Sequence, residues 1–325
     1  MRRLLITFLA LVVGFPVLGA TPSRVARVAV LTVEPVSSPA GAPGWRAFTD
    51  ALRARGWIEG RNLALDVRAT EGRADRFREF AAQLVALRPD VILGITTQGV
   101  QAAREHTTTI PIVMRGVADP IAAGFVASLA RPGGNVTGVS TQIGDLNEKF
   151  LQLLREARPG ITRVVLLWTP DNAGSRRNKE ITAAVAPTLG IALEPIGVNS
   201  PEELDKALGS MARHRPDALL VHATPVLQVH NRATIAFALK QRLPSLTHSS
   251  QMARDGLLLS YAPDLVEEWR VVAGYVDRIL RGAKPAELPV EQPTKFQFVV
   301  NLKTARAIGI EIPSSLLGRA DEVIE

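Results

Sequence analysis

The sequence predicts an α/β protein made of two doubly wound parallel-sheet lobes joined by a hinge. Three observations carry that expectation. From residue 24 onwards, apolar runs of strand length alternate with helix-length amphipathic segments, the signature of a parallel sheet with helices on both faces. The alternation restarts near residue 145, so two series of comparable length follow one another without a low-complexity linker. At 325 residues, 46% of them hydrophobic, the chain has material for about two cores.

Each element has its own local reason. Residues 24–33, RVARVAVLTV, form a continuous apolar strand, and 43–57 have helical spacing with Trp45, Phe48 and Leu52 on one face. Residues 63–67 alternate as a strand, and 74–87 form a helix with Phe77, Phe80, Leu84 and Leu87 inward, stopped by Pro89. Strands at 90–95 and 112–114 flank a helix at 98–105; a helix at 121–130 and a strand at 135–139 close the first series. The second series begins with a helix at 145–156, a strand at 163–168, a helix at 178–189 and a strand at 192–196. A helix at 201–212 carries Glu202 and Glu203 in its first turn, where the helix dipole favours anions. Strands at 218–222, 245–247 and 257–261, with helices at 226–240 and 264–280, complete that series. The tail, 288–309, adds a strand and a short helix.

The N-terminus reads as an export signal. Met1-Arg2-Arg3 is basic, LLITFLALVVGFPVL is uncharged and apolar, and Val17, Leu18 and Gly19 stand where a signal peptidase would cut. The run is shorter than the roughly 20 apolar residues of a membrane span, so a cleaved signal over 1–20 is favoured over an anchor helix. Ala20 stands where a lipoprotein signal carries its cysteine, so no lipid anchor is expected. The chain has no cysteine, which removes thiol nucleophiles, disulfides and thiolate metal sites. The net charge is +7, and without Arg2 and Arg3 it is still +5, but the basic residues are scattered and no nucleic-acid-binding module is recognisable.

The stretch DPIAAGFVASLARPGGNVTGVS, 119–140, tests for nucleotide chemistry. A phosphate loop follows a strand and opens a helix; here the double glycine follows the expected helix and precedes a strand. There is no GK[ST] and no GxGxxG, so Gly133-Gly134 is a turn after a helix stopped by Pro132. Asn135-Val136-Thr137 matches a glycosylation sequon, a weak signal that bacterial export would leave idle. His106, His214, His222, His230 and His248 form neither HxH nor HExxH, and the default for each is a surface or core position. No GxSxG elbow occurs.

What remains is position. Ligands of open parallel sheets bind beyond the carboxyl ends of the strands, and those ends carry hydroxyls: Thr96-Thr97, Ser140-Thr141, Thr169 to Asn172, Thr224 and Ser249-Ser250. Singly, each hydroxyl is more readily an N-cap than a ligand contact; their recurrence raises a binding role. Asp119 and Asp171 would be available to meet an ammonium.

Several long motifs in order, RGWIEGRNL (55–63), LVALRPDVIL (84–93), IPIVMRGVADPIAAGFVASLARPGGNVTGVS (110–140), WTPDN (168–172) and the run from 273 to 313, give a resemblance. The whole mature chain resembles the ABC-transporter substrate-binding proteins of type 1 periplasmic binding fold, the group with the tryptophan/tyrosine-type receptors. The resemblance implies one lobe from 24–139 with about 263–282, and another from 142–261 with about 288–325. Hinge crossings are then expected near 140–141, 261–263 and 283–288. It implies a small-molecule ligand in the cleft, a membrane permease with a separate ATPase, a periplasmic location, a monomer, and no cofactor, metal, catalysis or nucleic acid. Its pattern makes Thr96, Thr97, Ala118, Asp119, Ser140, Thr141, Asp171 and Asn172 cleft positions; Thr224 and Tyr261 join them by strand-end placement. The chain departs from the pattern at VEPVSSPAG (33–41) and HATPVLQVH (222–230), both expected to face the cleft, so an aromatic amino acid is not assumed. The alternatives are an exported two-lobe enzyme, such as a sugar- or nucleotide-handling transferase, and the effector lobe of a repressor. The first lacks a visible phosphate loop, metal motif or acid/base pair; the second lacks DNA-binding helices.

Overall fold

The computed structural model describes residues 24–38, 42–141 and 146–325. The expected signal, 1–20, lies outside them, as do 39–41 of the first divergent stretch and 142–145 at the first expected crossing.

Strands β1 (Ala26–Thr32), β2 (Leu63–Ala69), β3 (Val91–Ile95), β4 (Ile112–Val117) and β5 (Val136–Ser140) build the first sheet in the order β2-β1-β3-β4-β5, all parallel. Every residue of β3, VILGI, is buried, as a strand covered on both faces requires. Helices α1 (Ala42–Ala54), α2 (Ala74–Ala86) and α3 (Thr96–His106) supply the cover: Phe48 and Leu52 on one face, Phe77, Leu84 and Val100 on the other.

The second sheet holds β6 (Arg163–Trp168), β7 (Ala192–Gly197), β8 (Ala218–Val221), β9 (Ser245–Thr247), β10 (Leu259–Pro263), β11 (Phe296–Asn301) and β12 (Glu322–Ile324). Their order is β12-β11-β10-β9-β8-β6-β7, with β10 and β11 antiparallel and the other pairs parallel. Helices α4 (Asn147–Ala157), α5 (Ala173–Val185), α6 (Pro201–His214), α7 (Pro225–Val229), α8 (Asn231–Lys240), α9 (Ser250–Asp255), α10 (Leu265–Leu280), α11 (Leu302–Ile308) and α12 (Ser314–Leu317) follow. Two apolar clusters sandwich this sheet, one around Phe150, Leu166 and Phe298, the other around Leu167, Met211 and Val221. The α/β class and the doubly wound parallel sheets therefore hold. The tail carries more than expected: α12 and the edge strand β12 follow its strand and helix.

Several boundaries differ, each for a local reason. Residues 121–130 are not a helix but a chain of turns. The Asp119 carboxylate accepts the Ala122 N–H at 2.9 Å, and Gly124 at φ 67° interrupts any α-helical run. Phe125 and Val126 still turn inward. The helix placed at 178–189 starts five residues earlier, because Asn172 caps it by accepting the Ser175 N–H at 2.9 Å. Its last turn, Ala186–Leu189, narrows to a 3-10 turn containing Pro187. The helix placed at 226–240 divides at His230 into α7 and α8.

The lobes exchange chain three times. After β10 in the second sheet, α10 returns to the first, where Trp269, Val272 and Val276 join Val28, Phe48 and Leu93. Gly44 is what lets α1 approach: a Cβ there would lie 2.2 Å from the Trp269 ring. The third crossing falls later than 283–288. Thr137 Oγ1 donates to the Leu288 carbonyl at 2.7 Å, Glu291 N–H to Gly138 O at 3.0 Å and Ser140 N–H to Glu291 O at 2.9 Å. Residues 288–291 thus lie along β5 in the first lobe, not in the second, and the chain crosses at 292–295. The reason is apolar as well: Val290 is buried in the first lobe's core. The second and third crossings touch where Asp264 N–H donates to Lys295 O at 3.0 Å.

Candidate functional site

The carboxyl ends of both sheets face a cavity of about 40 Å³. The first lobe contributes Thr96 and Thr97 after β3, with Gly116 and Ala118 at the end of β4; Thr141 stands at the first crossing. From the second lobe come Asn172, Gly174, Ser175 and Asn178 around the start of α5, His222 to Pro225 after β8, and His248 after β9. A cavity this small holds a few water molecules. The lobes are in contact around it: Asn172 Nδ2 donates to Gln98 Oε1 at 3.1 Å. A Cβ on Gly174 would lie 3.2 Å from Ala118 Cβ and 3.3 Å from Thr97 Oγ1.

Hydrogen bonds order the second-lobe wall. Thr169 N–H donates to Ser175 Oγ at 3.0 Å, and Ser175 Oγ lies 3.0 Å from His222 Nδ1. The Thr169 and Thr224 hydroxyls hydrogen-bond to each other at 2.6 Å. Ala223 N–H donates to His248 Nε2 at 3.0 Å, so that ring is a neutral acceptor there. Burial pushes the His222 imidazole well below its ordinary range, aided by neighbouring His248. Burial likewise holds His248 down at about 4. Both rings are neutral at pH 7.

Buried polar atoms are normally paired. Thr96 Oγ1, Thr141 Oγ1 and His222 Nε2 are buried, belong to residues lining this cavity and have no partner among the described residues. Thr96 is also strained: a β-branched residue at φ 69° occupies the left-handed region, a cost of about 1–3 kcal/mol that clusters at functional sites.

Six of the ten residues singled out from sequence line the cavity: Thr96, Thr97, Ala118, Thr141, Asn172 and Thr224. Four do not. Ser140 is buried beside them but turns its hydroxyl to the Ala118 carbonyl at 3.5 Å. Asp119 caps the following turn, accepting the Ala122 N–H. Asp171 opens onto an outer groove of about 600 Å³ with Phe77, Gln98 and Phe125. Tyr261 stacks on Phe296, ring centroids 5.5 Å apart, along the antiparallel pair of the second sheet. Sequence reasoning did not single out Gly116, Gly174, Ser175, Asn178 or His248, and it reached His222, Ala223 and Pro225 only within the 222–230 stretch. A signal existed for the histidines, since each directly follows a strand, as Thr96 does.

The histidines set a pH response. Their folded pKa lies below the unfolded value of 6.5, so the unfolded chain binds more protons as the pH falls below that value. Stability is complete above 6.5 and declines towards pH 4, by at most about 1.4 kcal/mol per pH unit for each ring. Denaturation midpoints followed from about pH 7.5 to about 4.5, across the ordinary histidine range, should fall less steeply in His248→Asn than in the unmodified protein. Parallel slopes would place the proton uptake elsewhere.

Two parallel-sheet lobes closed over a polar cavity at their strand ends define a two-lobed binding protein. Residues 27–324 match the family model described as ABC transporter substrate binding protein. The chain belongs to that family. It is 23% identical over 266 residues to the tyrosine-binding protein of Clostridioides difficile, covering 82% of this chain and 76% of that one. A conserved domain protein of Vibrio cholerae superposes with a TM-score of 0.86 at 28% identity, over 92% of this chain and 100% of that one. The ABC domain of Streptococcus pneumoniae in complex with L-Trp gives 0.84 at 27% identity, over 92% and 99%. Family and relative are named for binding, not for catalysis.

Proposed function

We propose that this protein is the exported solute-binding receptor of an ABC importer, capturing a small polar or amino-acid-like ligand between its lobes by hinge closure. The observation that carries this is the cavity between the two sheets, walled by hydroxyls, amides and imidazoles, with three buried polar atoms that have no partner among the described residues. Its volume of about 40 Å³ admits no ligand of amino-acid size, so the lobes part to load and close on what they hold. Ligand contacts on both walls stabilise the closed state, and a membrane permease served by a separate ATPase responds to it. Thr96, Thr97, Ala118, Thr141, Asn172 and Thr224 are the contacts; the crossings at Thr141, Asp264 and 292–295 form the hinge. The ligand is retained unchanged, and the mature protein works as a monomer in the periplasm.

The test is to extract and identify by mass spectrometry whatever co-purifies, then to follow compaction by small-angle scattering on adding it back. A ligand that emerges chemically altered sinks the receptor role. Gly174→Val places a branched side chain between Ala118 and Thr97 and should hold the lobes apart. Titration calorimetry should show affinity falling about tenfold or more, a differential cost near 1.4 kcal/mol, with the melting temperature of the free protein little changed.

A further inference from the structure

The chemistry of the cavity narrows the ligand class, an inference that rests on the receptor reading. We propose that the ligand is a carboxylic acid lacking an α-ammonium group, its carboxylate received by His222 Nε2–H, the Thr96 and Thr141 hydroxyls and the amino end of α3.

The imidazole tautomer comes first. Ser175 Oγ accepts the Thr169 N–H, so its own proton needs an acceptor, and His222 Nδ1 at 3.0 Å is the one within reach among the described residues. A neutral ring whose Nδ1 accepts carries its proton on Nε2. His222 is 1% exposed, and that Nε2–H has no partner among the described residues. It is a buried donor on the cavity wall, and a buried donor calls for an acceptor.

The rest of the wall has the same sense. The Thr96 and Thr141 hydroxyls each have a proton to give and no partner among the described residues. Helix α3 begins at Thr96 with no side-chain cap, so its first-turn amides and dipole favour negative charge. Among the described residues, no carboxylate lines the cavity. The two acids expected to meet an ammonium are elsewhere, Asp119 in its turn and Asp171 in the outer groove. An ammonium enclosed here would lose its hydration without gaining a counter-charge, whereas a carboxylate would find donors on both lobes.

The experiment is a matched panel on the mature protein, read by thermal shift and calorimetry. Phenylpropanoate is set against phenylalanine, indolepropanoate against tryptophan, succinate against aspartate and butanoate against aminobutyrate, with neutral amides and sugars beside them. The expected result is that at least one amine-free acid binds about tenfold or more tightly than its amino counterpart. His222→Phe should lose that binding by at least about tenfold, while His222→Gln, which keeps an N–H donor, should retain most of it. A panel in which amino acids bind and their amine-free partners do not overturns the proposal, as does binding confined to amides or sugars or silence from every acid. Each of those results leaves the receptor reading intact; conversion of a bound compound would remove both.

Discussion

Replacing Gly138 by alanine is expected to destabilise the protein by about 4 kcal/mol, at the extreme of single substitutions. Gly138 sits in β5 at φ 128°, a conformation that L side chains rarely adopt. A Cβ there would lie 2.3 Å from the Met114 carbonyl oxygen and 2.7 Å from the Met114 nitrogen. Both are backbone atoms of the neighbouring strand, so no rotamer change relieves the collision. The β4–β5 pairing would have to open next to its existing irregularity between Met114 and Val117. The damage would spread, because Gly138 O also receives Glu291 N–H and thereby holds the chain just before the third crossing. Urea denaturation of Gly138→Ala measures this directly. A loss below about 1 kcal/mol, the size of an ordinary substitution, would show that the strands accommodate the methyl group.

The second large effect belongs to Arg115→Ala, with an expected loss of about 3 kcal/mol at neutral pH. Arg115 Nη2 lies 2.8 Å from Glu268 Oε2, and its guanidinium covers the Trp269 ring at 5.1 Å. Glu268, 5% exposed, stands in the first turn of α10, so the pair fastens the returning helix to β4. Burial raises the Glu268 carboxyl above its ordinary 4.5, and Arg115 opposes that rise. Without the guanidinium the folded-state pKa climbs further. A group whose folded pKa is raised favours the fold below its unfolded value and loses that contribution as the pH rises through the folded value. The defect of Arg115→Ala should therefore be larger at pH 7 than at pH 5 (a window set by the ordinary carboxylate range). Arg115→Ala/Glu268→Ala should recover part of the loss, since no carboxyl then stays buried without its partner. A double variant no better than the single one would assign the loss to the Trp269 contact.

Most of the fold was legible because parallel strands covered on both faces must be apolar throughout. VILGI, VVLLW and ALLV leave little choice of state. The failures fall where small residues leave periodicity without packing. At 121–130 a helical spacing is present, yet the Asp119 side chain and Gly124 turn the chain instead. The third crossing was misplaced because 285–291 resembles linker, and only contact with β5 makes it part of the first lobe.

The site was legible as far as topology reaches. The rule that ligands gather at strand ends located Thr96, Thr97, Thr141, Asn172 and Thr224. It could not show that Asp119 would be used up by its own turn or that the Tyr261 ring would lie against Phe296. His248 escaped, and His222 was reached only within 222–230, because a lone histidine carries no spacing pattern. Their meaning comes from burial and from a hydrogen bond to Ser175, 47 positions away.

The return of α10 to the first sheet has a consequence for biosynthesis. Thr137 is tied to the carbonyl of a residue 151 positions later, and Arg115 to an acid 153 positions later. A ribosome that has made β1 to β5 has therefore not made the helix that covers one face of that sheet. The first lobe stays incomplete until nearly the whole polypeptide exists, and contacts so distant in sequence form slowly. Such a chain remains threadable for longer than one whose lobes are contiguous, which fits the export proposed for it.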